Sequence, residues 1–413
     1  MIQRFFHLDF NRIDDRNAWF LAAEIFWAAI LSAAVNFNGA FAVHLGATST
    51  EIGLLSSIPA LLAVLVAIPS GRFLASRSRR KPWLLGALLI YRACFVLVAF
   101  VPWLGSKALP SSTLVVIFLI VMTLPLTFFN VGFTPMLGDV IPENRRAAVF
   151  TARNVIANAT ISIFIFLFGL WLNRVVFPLN YQILLIFGFM ASLFSHFNLL
   201  KIQVPDSTPT PSVYSNRLSL KERWHNIQQT FTSQPGFMHF TFNMLVYGMG
   251  MWIASPLYIL YYLRSLKASD AWLGTLGTIS SVSVIIGYAI WRSVMARWGE
   301  ALTLKVTIVT QGLLPLLIGL SPTLTPILFV VALNGLLAAG AGLSSTNMLL
   351  KVMPVASRPQ YTALYTTIVN IGVFIGPLIG VTVAGYLGLP ATLIGCGLLS
   401  IAGATSFWIW PVR

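Results

Sequence analysis

The chain has 413 residues, 57% apolar and only 9% charged, with a mean hydropathy of +0.83, against roughly 25% charged residues in ordinary soluble domains; a water-soluble globular fold is excluded. Its net charge of +15 would suggest nucleic acid in a soluble protein, but here the basic residues cluster in short loops between apolar runs, which reads as membrane topology and speaks against a nucleic-acid partner. The two cysteines, Cys94 and Cys396, each lie inside an apolar segment, so neither a disulfide framework nor a metal site can be argued from them.

Residues 1–16 carry Arg4, Arg12 and Arg16 and run into a long apolar stretch without a small-residue cleavage site, which predicts a retained cytoplasmic leader. Phe5, Phe6, Leu8, Phe10 and Ile13 alternate there with polar residues, as in a segment lying on the membrane surface. Apolar runs of about 20 or more residues can cross roughly 30 Å of hydrocarbon as helix. They fall near 17–44, 51–73, 83–104, 112–138, 147–172 and 181–200. The polar stretch 201–235 opens with Pro205, Pro209 and Pro211, which cannot continue a helix. Further along it, Ser219 and Glu222 have capping-box spacing, and Leu220, Trp224, Ile227 and Phe231 recur at helical intervals beside Lys221 and Arg223, predicting an interfacial helix. Six more runs follow near 236–263, 271–295, 302–320, 324–350, 360–386 and 388–410. The expected architecture is an all-α membrane protein of twelve transmembrane helices: an N-terminal bundle over 1–200, a cytoplasmic linker over 201–235 and a C-terminal bundle over 236–413.

Basic residues occupy alternate loops, with Arg72, Arg77, Arg79, Arg80 and Lys81 the densest group, while the opposite loops hold only Lys107, Arg174, Arg264 and Lys267. This bias places both termini in the cytoplasm and the protein in a plasma or inner membrane. The halves repeat. A shift of 212 residues matches Thr134, Met136, Leu137, Val140, Pro142, Arg146, Ile156 and Asn158 with Thr346, Met348, Leu349, Val352, Pro354, Arg358, Ile368 and Asn370. Near the first hairpins, a shift of 221 sets 45–48 on 266–269, and Gly53, Leu55 and Ile58 on Gly274, Leu276 and Ile279. Two six-span halves of like orientation are parallel repeats about an axis along the membrane normal.

Three segments carry a family resemblance. His44 to Leu55 looks like an extracellular turn into span 2, Gly71 to Lys81 is similar to the loop 2–3 signature of the major facilitator superfamily, and Gly138-Asp139-Val-Ile-Pro142-Glu-Asn-Arg145-Arg146 to its loop 4–5 signature. Together with the six-plus-six organisation, the chain resembles that superfamily over its whole length. The usual loop 2–3 aspartate is replaced by Ala75 or Ser76, and the counterpart ending in Arg297 and Gly299 also lacks the acid. Span 5 lacks the Gly-Pro motif of drug–proton antiporters, and a related pattern, Gly372-x3-Gly376-Pro377-x2-Gly380, sits in span 11.

The resemblance implies a cavity lined by spans 1, 4, 7 and 10. Glu24 is the only acid well inside an expected span, with Asn38 on nearly the same stripe. Span 4 offers Thr123, Thr127, Asn130 and Thr134, span 7 Asn243, Tyr247 and Tyr258, and span 10 Asn334 and Ser345. The expected substrate-binding set is Glu24, Asn38, Thr127, Asn130, Asn243, Tyr247, Tyr258, Asn334 and Ser345; hydrogen bonding between helices is the other role open to these groups. Glu24 is the expected coupling acid, since a lone carboxylate in hydrocarbon favours its neutral form, with Arg92 and Arg153 as charge partners that would instead make it structural. The expected cytoplasmic gate comprises Arg77, Asp139, Pro142, Arg146, Arg297, Pro354 and Arg358, with the two Pro/Arg corners holding the halves together.

The spans show no clustered carboxylates, HExxH motif or phosphate-binding GxxxxGK[ST] loop, which argues against an enzyme or an ATP-hydrolysing pump. What remains is a secondary active transporter of a small organic solute, acting as a monomer without cofactor, with proton coupling open; a channel and a transport-inactive sensor are the alternatives.

Overall fold

A computed structural model describes residues 10–204, 234–354 and 358–410; the leader's first nine residues and the expected interfacial helix lie outside them. Helix is the only regular structure among the described residues: α1 (Ile13–Val35), α2 (Asn38–His44), α3 (Ser49–Ala75), α4 (Lys81–Leu104), α5 (Ser111–Val121), α6 (Thr123–Val140), α7 (Glu143–Arg174), α8 (Leu179–Lys201), α9 (Pro235–Leu260), α10 (Asp270–Leu320), α11 (Leu324–Val352), α12 (Arg358–Leu387) and α13 (Leu389–Ile409).

Local chemistry explains where several of these begin and break. Thr48 and Glu51 form a capping box at the start of α3, the Glu51 carboxylate accepting from the Thr48 backbone N–H at 2.6 Å and the Thr48 hydroxyl accepting from the Glu51 N–H at 3.2 Å. The fourth expected span is interrupted at Met122, where Pro125 supplies no N–H to the Val121 carbonyl. The first is interrupted between α1 and α2, and Asn36 turns its side-chain amide back to the Ser32 carbonyl at 2.8 Å. A π-turn, Tyr261–Ser265, ends α9, and Lys267 beyond it takes a positive φ of 53°.

Eleven helical stretches among the described residues are long and apolar enough to cross a membrane, one fewer than the sequence led us to expect. The difference lies in α10, which runs through 51 residues although Gly299 inside it has φ 75° and ψ 168°, a conformation open only to glycine. The expected spans 271–295 and 302–320 both fall within it. Large apolar side chains stand exposed along the helices, among them Ile68, Ile90, Trp103, Ile163 and Phe329, as suits surfaces solvated by lipid.

The chain forms two compact units that do not coincide with the sequence halves. Unit 1 holds residues 1–47, 62–213 and 269–278; unit 2 holds 48–61, 214–268 and 279–413. In unit 1, α1 packs along α7 and α8 over a core that includes Leu21, Leu84, Leu88, Phe129, Met136 and Val149. In unit 2, α9 packs along α12 and α13 around Phe240, Tyr247, Leu304, Ile308, Ala404 and Phe407. Glycines bring those helices close. A Cβ on Gly250 would stand 2.2 Å from the Ser400 hydroxyl, and one on Gly380 would stand 2.1 Å from the Ile253 carbonyl oxygen. The glycine pattern of span 11 therefore seats α12 against α9, with Gly372 and Gly376 both lying on Trp252.

Candidate functional site

Three of the buried charges of unit 1 come together from three helices. Glu24 of α1 is 4% exposed, Arg153 of α7 8% and Arg92 of α4 2%. Arg153 Nη1 stands 2.8 Å from Glu24 Oε2 in an unaligned approach that leaves this oxygen without a hydrogen bond, so the contact is Coulombic rather than a directed bond. The same Nη1 donates to the Leu21 carbonyl at 3.2 Å, and the guanidinium lies over the Phe133 ring at 5.4 Å. On the other side of the carboxylate, Ser195 Oγ donates to Oε1 at 3.1 Å and accepts from Arg92 Nη2 at 2.6 Å. A relay Arg153–Glu24–Ser195–Arg92 thus ties α7, α1, α8 and α4 together. It holds two guanidiniums and one carboxylate, and Arg92 Nη1 has no hydrogen-bond partner. The sequence-derived partnership of Glu24 with Arg153 is present in the geometry, and Asp139, expected at the gate, is exposed on α6.

Asn38 opens α2, buried, with its carbonyl oxygen unpartnered. Thr127 is half-buried and Asn130 exposed along α6. In unit 2, two of the five expected cavity residues bond away from their own helix. Asn243 donates to the Trp410 carbonyl at 3.2 Å, and the Tyr247 hydroxyl to Gln311 Oε1 at 3.1 Å. Ser345 returns its hydroxyl to the Gly342 carbonyl at 3.2 Å. Tyr258 stacks on Tyr262 with its hydroxyl unpartnered. Asn334, its carbonyl oxygen also unpartnered, lines a cavity of about 20 Å³ with Thr310 and Leu337. A larger cavity in unit 1, about 280 Å³, is walled by Phe164, Phe168, Trp171, Leu184 and Phe187. It offers apolar contact only.

The gate residues are engaged locally. Arg146 donates to the carbonyls of Gly138 at 2.6 Å and Ile141 at 3.0 Å, and Arg358 to that of Leu350 at 3.3 Å. Each arginine caps the end of the helix before it, at the same eight-residue offset in both repeats. Pro142 and Pro354 occupy the turns between. Arg77 lies over the Phe73 and Trp83 rings at 4.9 and 5.5 Å, and Arg297 is exposed. Near the amino-terminal end of α1, Asp15 pairs with Arg145, and Asn17 exchanges two 3.0 Å hydrogen bonds with the Gln203 backbone.

A second polar group sits at the far end of α2. Asp270, first residue of α10 and 9% exposed, places Oδ1 2.7 Å from the Tyr181 hydroxyl, which donates to it, and 3.1 Å from His44 Nε2. Tyr181 stacks on Phe41 at 4.8 Å. Below it, Gly274 meets Gly169 so closely that a Cβ on either would stand under 3 Å from the other's backbone. Sequence reasoning gave Asp270 and Tyr181 no role, and its only signal was the repeat alignment that sets Gly274 on Gly53.

The profile of the Major Facilitator Superfamily matches residues 19–240 and 240–413. A search of curated proteins finds no match. Among solved structures, a nucleoside transporter, NupG, is similar with a TM-score of 0.67 at 14% identity over 95% of this chain and 99% of that one. A POT family transporter in complex with a thioalcohol-conjugated peptide gives 0.67 at 16% over 95% and 96%. A bacterial homologue of the human lysosomal transporter Spinster, inward-facing and unoccupied, gives 0.67 at 12% over 96% and 97%.

Proposed function

The chain belongs to the major facilitator superfamily, and from that membership we propose that it is a secondary active transporter, moving a small organic solute across the membrane by alternating access. The observation that carries this reading is the match of the family profile to both halves in turn, joined to the internal repeats. Reading α10 as two spans divided at Gly299 makes twelve, with both termini cytoplasmic and the protein acting as a monomer. Tyr258, Asn334 and Asn38, whose buried polar atoms lack partners, are the residues assigned to solute contact, because an unpaired buried acceptor gains most from a ligand donor. Glu24 is assigned a structural role through Arg153 in place of the coupling role. The corner arginines Arg146 and Arg358 are assigned to shaping the helix ends beneath the cytoplasmic gate.

Two experiments test this. Solutes that raise the melting temperature of the purified protein are offered to reconstituted vesicles under an imposed proton or sodium gradient. Uphill accumulation is the expected result; dissipation of a solute gradient without accumulation would make the protein a channel, and no flux would leave a sensor. For topology, single cysteines replacing Ser269 and Ser215 are treated with an impermeant maleimide in intact cells. Only the cysteine at 269 should label, and labelling of both from outside would end the twelve-span arrangement.

A further inference from the structure

The two repeats build one joint twice. The alignment that sets 45–48 on 266–269 continues to place Ser49 on Asp270 and Gly53 on Gly274. In unit 2, Arg264 Nη1 donates to Ser49 Oγ at 2.8 Å, and Gly53 packs on the Val381 side chain. In unit 1, Asp270 meets His44 at 3.1 Å and Gly274 packs on Gly169. Residue 169 falls on 381 under the shift of 212 that relates the later spans. Each copy therefore fixes the first turn of a span by a small-residue contact and a polar bond to a basic side chain at the end of an earlier span. One copy uses an arginine, which keeps its proton at any working pH, and a hydroxyl. The other uses a histidine and a carboxylate, the pair of side chains able to exchange a proton under physiological conditions.

We propose that His44 and Asp270 form a proton-binding site at the membrane face opposite the termini, and that proton uptake there tightens the seating of α10 against α2 and α8. With the proton on His44, an imidazolium faces the carboxylate at 3.1 Å; without it, one hydrogen bond remains and the Coulomb attraction is gone. The sign follows: the joint is firm with the proton bound and loosens when the proton leaves. The groups facing Asp270 are His44 from α2 and the Tyr181 hydroxyl from α8. The neighbouring α7 meets the Asp270 backbone at Gly169 and carries Arg174, exposed, at its end; Lys267 before α10 is exposed, and Arg264 is directed to Ser49. The proposal rests on the alternating-access reading for its meaning in transport: a proton entering from outside would close the joint behind itself, the order that inward proton symport requires.

The test reads the joint without reading transport. Hydrogen exchange at the amides of 269–274 is followed in the full chain in nanodiscs from pH 5 to 8, corrected for intrinsic exchange rates. Protection should fall roughly three- to fivefold as pH rises, the factor that a partly exposed ion pair supplies, while amides 49–54 of the arginine copy stay flat. His44→Arg should stay protected at pH 8, and His44→Gln should be flat at the lower level; the second variant serves if the first does not fold. A flat wild-type profile, or a slope that survives in His44→Gln, overturns the proposal. A slope found in a protein that accumulates no solute would uphold the proton site and sink the transport reading, whereas accumulation with a flat profile would do the reverse.

Discussion

Glu24→Gln should cost about 3 to 5 kcal/mol of stability, the range for breaking a buried pair by removing one partner, and much of the protein should be lost on extraction. The glutamine can still accept from Ser195, so the loss isolates charge. Two guanidiniums, Arg153 and Arg92, would stay buried with no carboxylate between them. Arg153→Met in the same chain should recover part of the loss, because a thioether of similar length fills the space without needing a counter-charge. Thermal unfolding of the purified single and double variants, followed by size-exclusion chromatography, checks this. A single variant as stable as the wild type would remove the structural role of Glu24 and return it to the coupling role that its isolation in the sequence suggests.

Gly380→Ala should destabilise by about 1 to 3 kcal/mol, the usual cost of overpacking, and Gly380→Val by more. The added carbon would lie 2.1 Å from the Ile253 carbonyl oxygen, a backbone atom that cannot swing aside, so α12 must move off α9. Gly385, on the same helix, supplies the control. A Cβ there meets nothing within 4 Å, and Gly385→Ala should gain about 0.5 to 1 kcal/mol from helix propensity alone. If both alanine variants melt at the same temperature, close approach at Gly380 is not what seats the helix.

Features set by local composition were legible in the sequence: the apolar runs, the prolines that end them and the arginines repeated at the two corners. Glu24 stood out because an acid inside a span is rare, and Arg153 could be named as its partner because few other charges were available. Ser195 could not, since a hydroxyl in a membrane helix has too many uses to read. Asp270 stands at the mouth of span 8, where an acid beside a short polar loop carries no signal of its own. Its burial depends on His44, 226 residues away, and on Tyr181, contacts that no helical or strand periodicity encodes. Asn243 and Tyr247 lay on a plausible stripe, but periodicity gives the face of a helix without saying which neighbour covers it. Here that neighbour is a backbone carbonyl in one case and Gln311 in the other.

The interleaving of the units bears on how the chain is made. Unit 1 is not complete until residues 269–278 join it, and these are translated well after its other segments end at 213. At about 5 to 20 residues per second, the ribosome takes roughly 3 to 13 s to cover that interval. Throughout it, Gly169, Tyr181 and His44 sit in the membrane without the strip of α10 they are shaped to receive. The nascent first half must therefore wait in the bilayer with a vacant seam, exposed to insertion factors, lipid or the wrong helix. Its last fold-completing step belongs to the second half of synthesis.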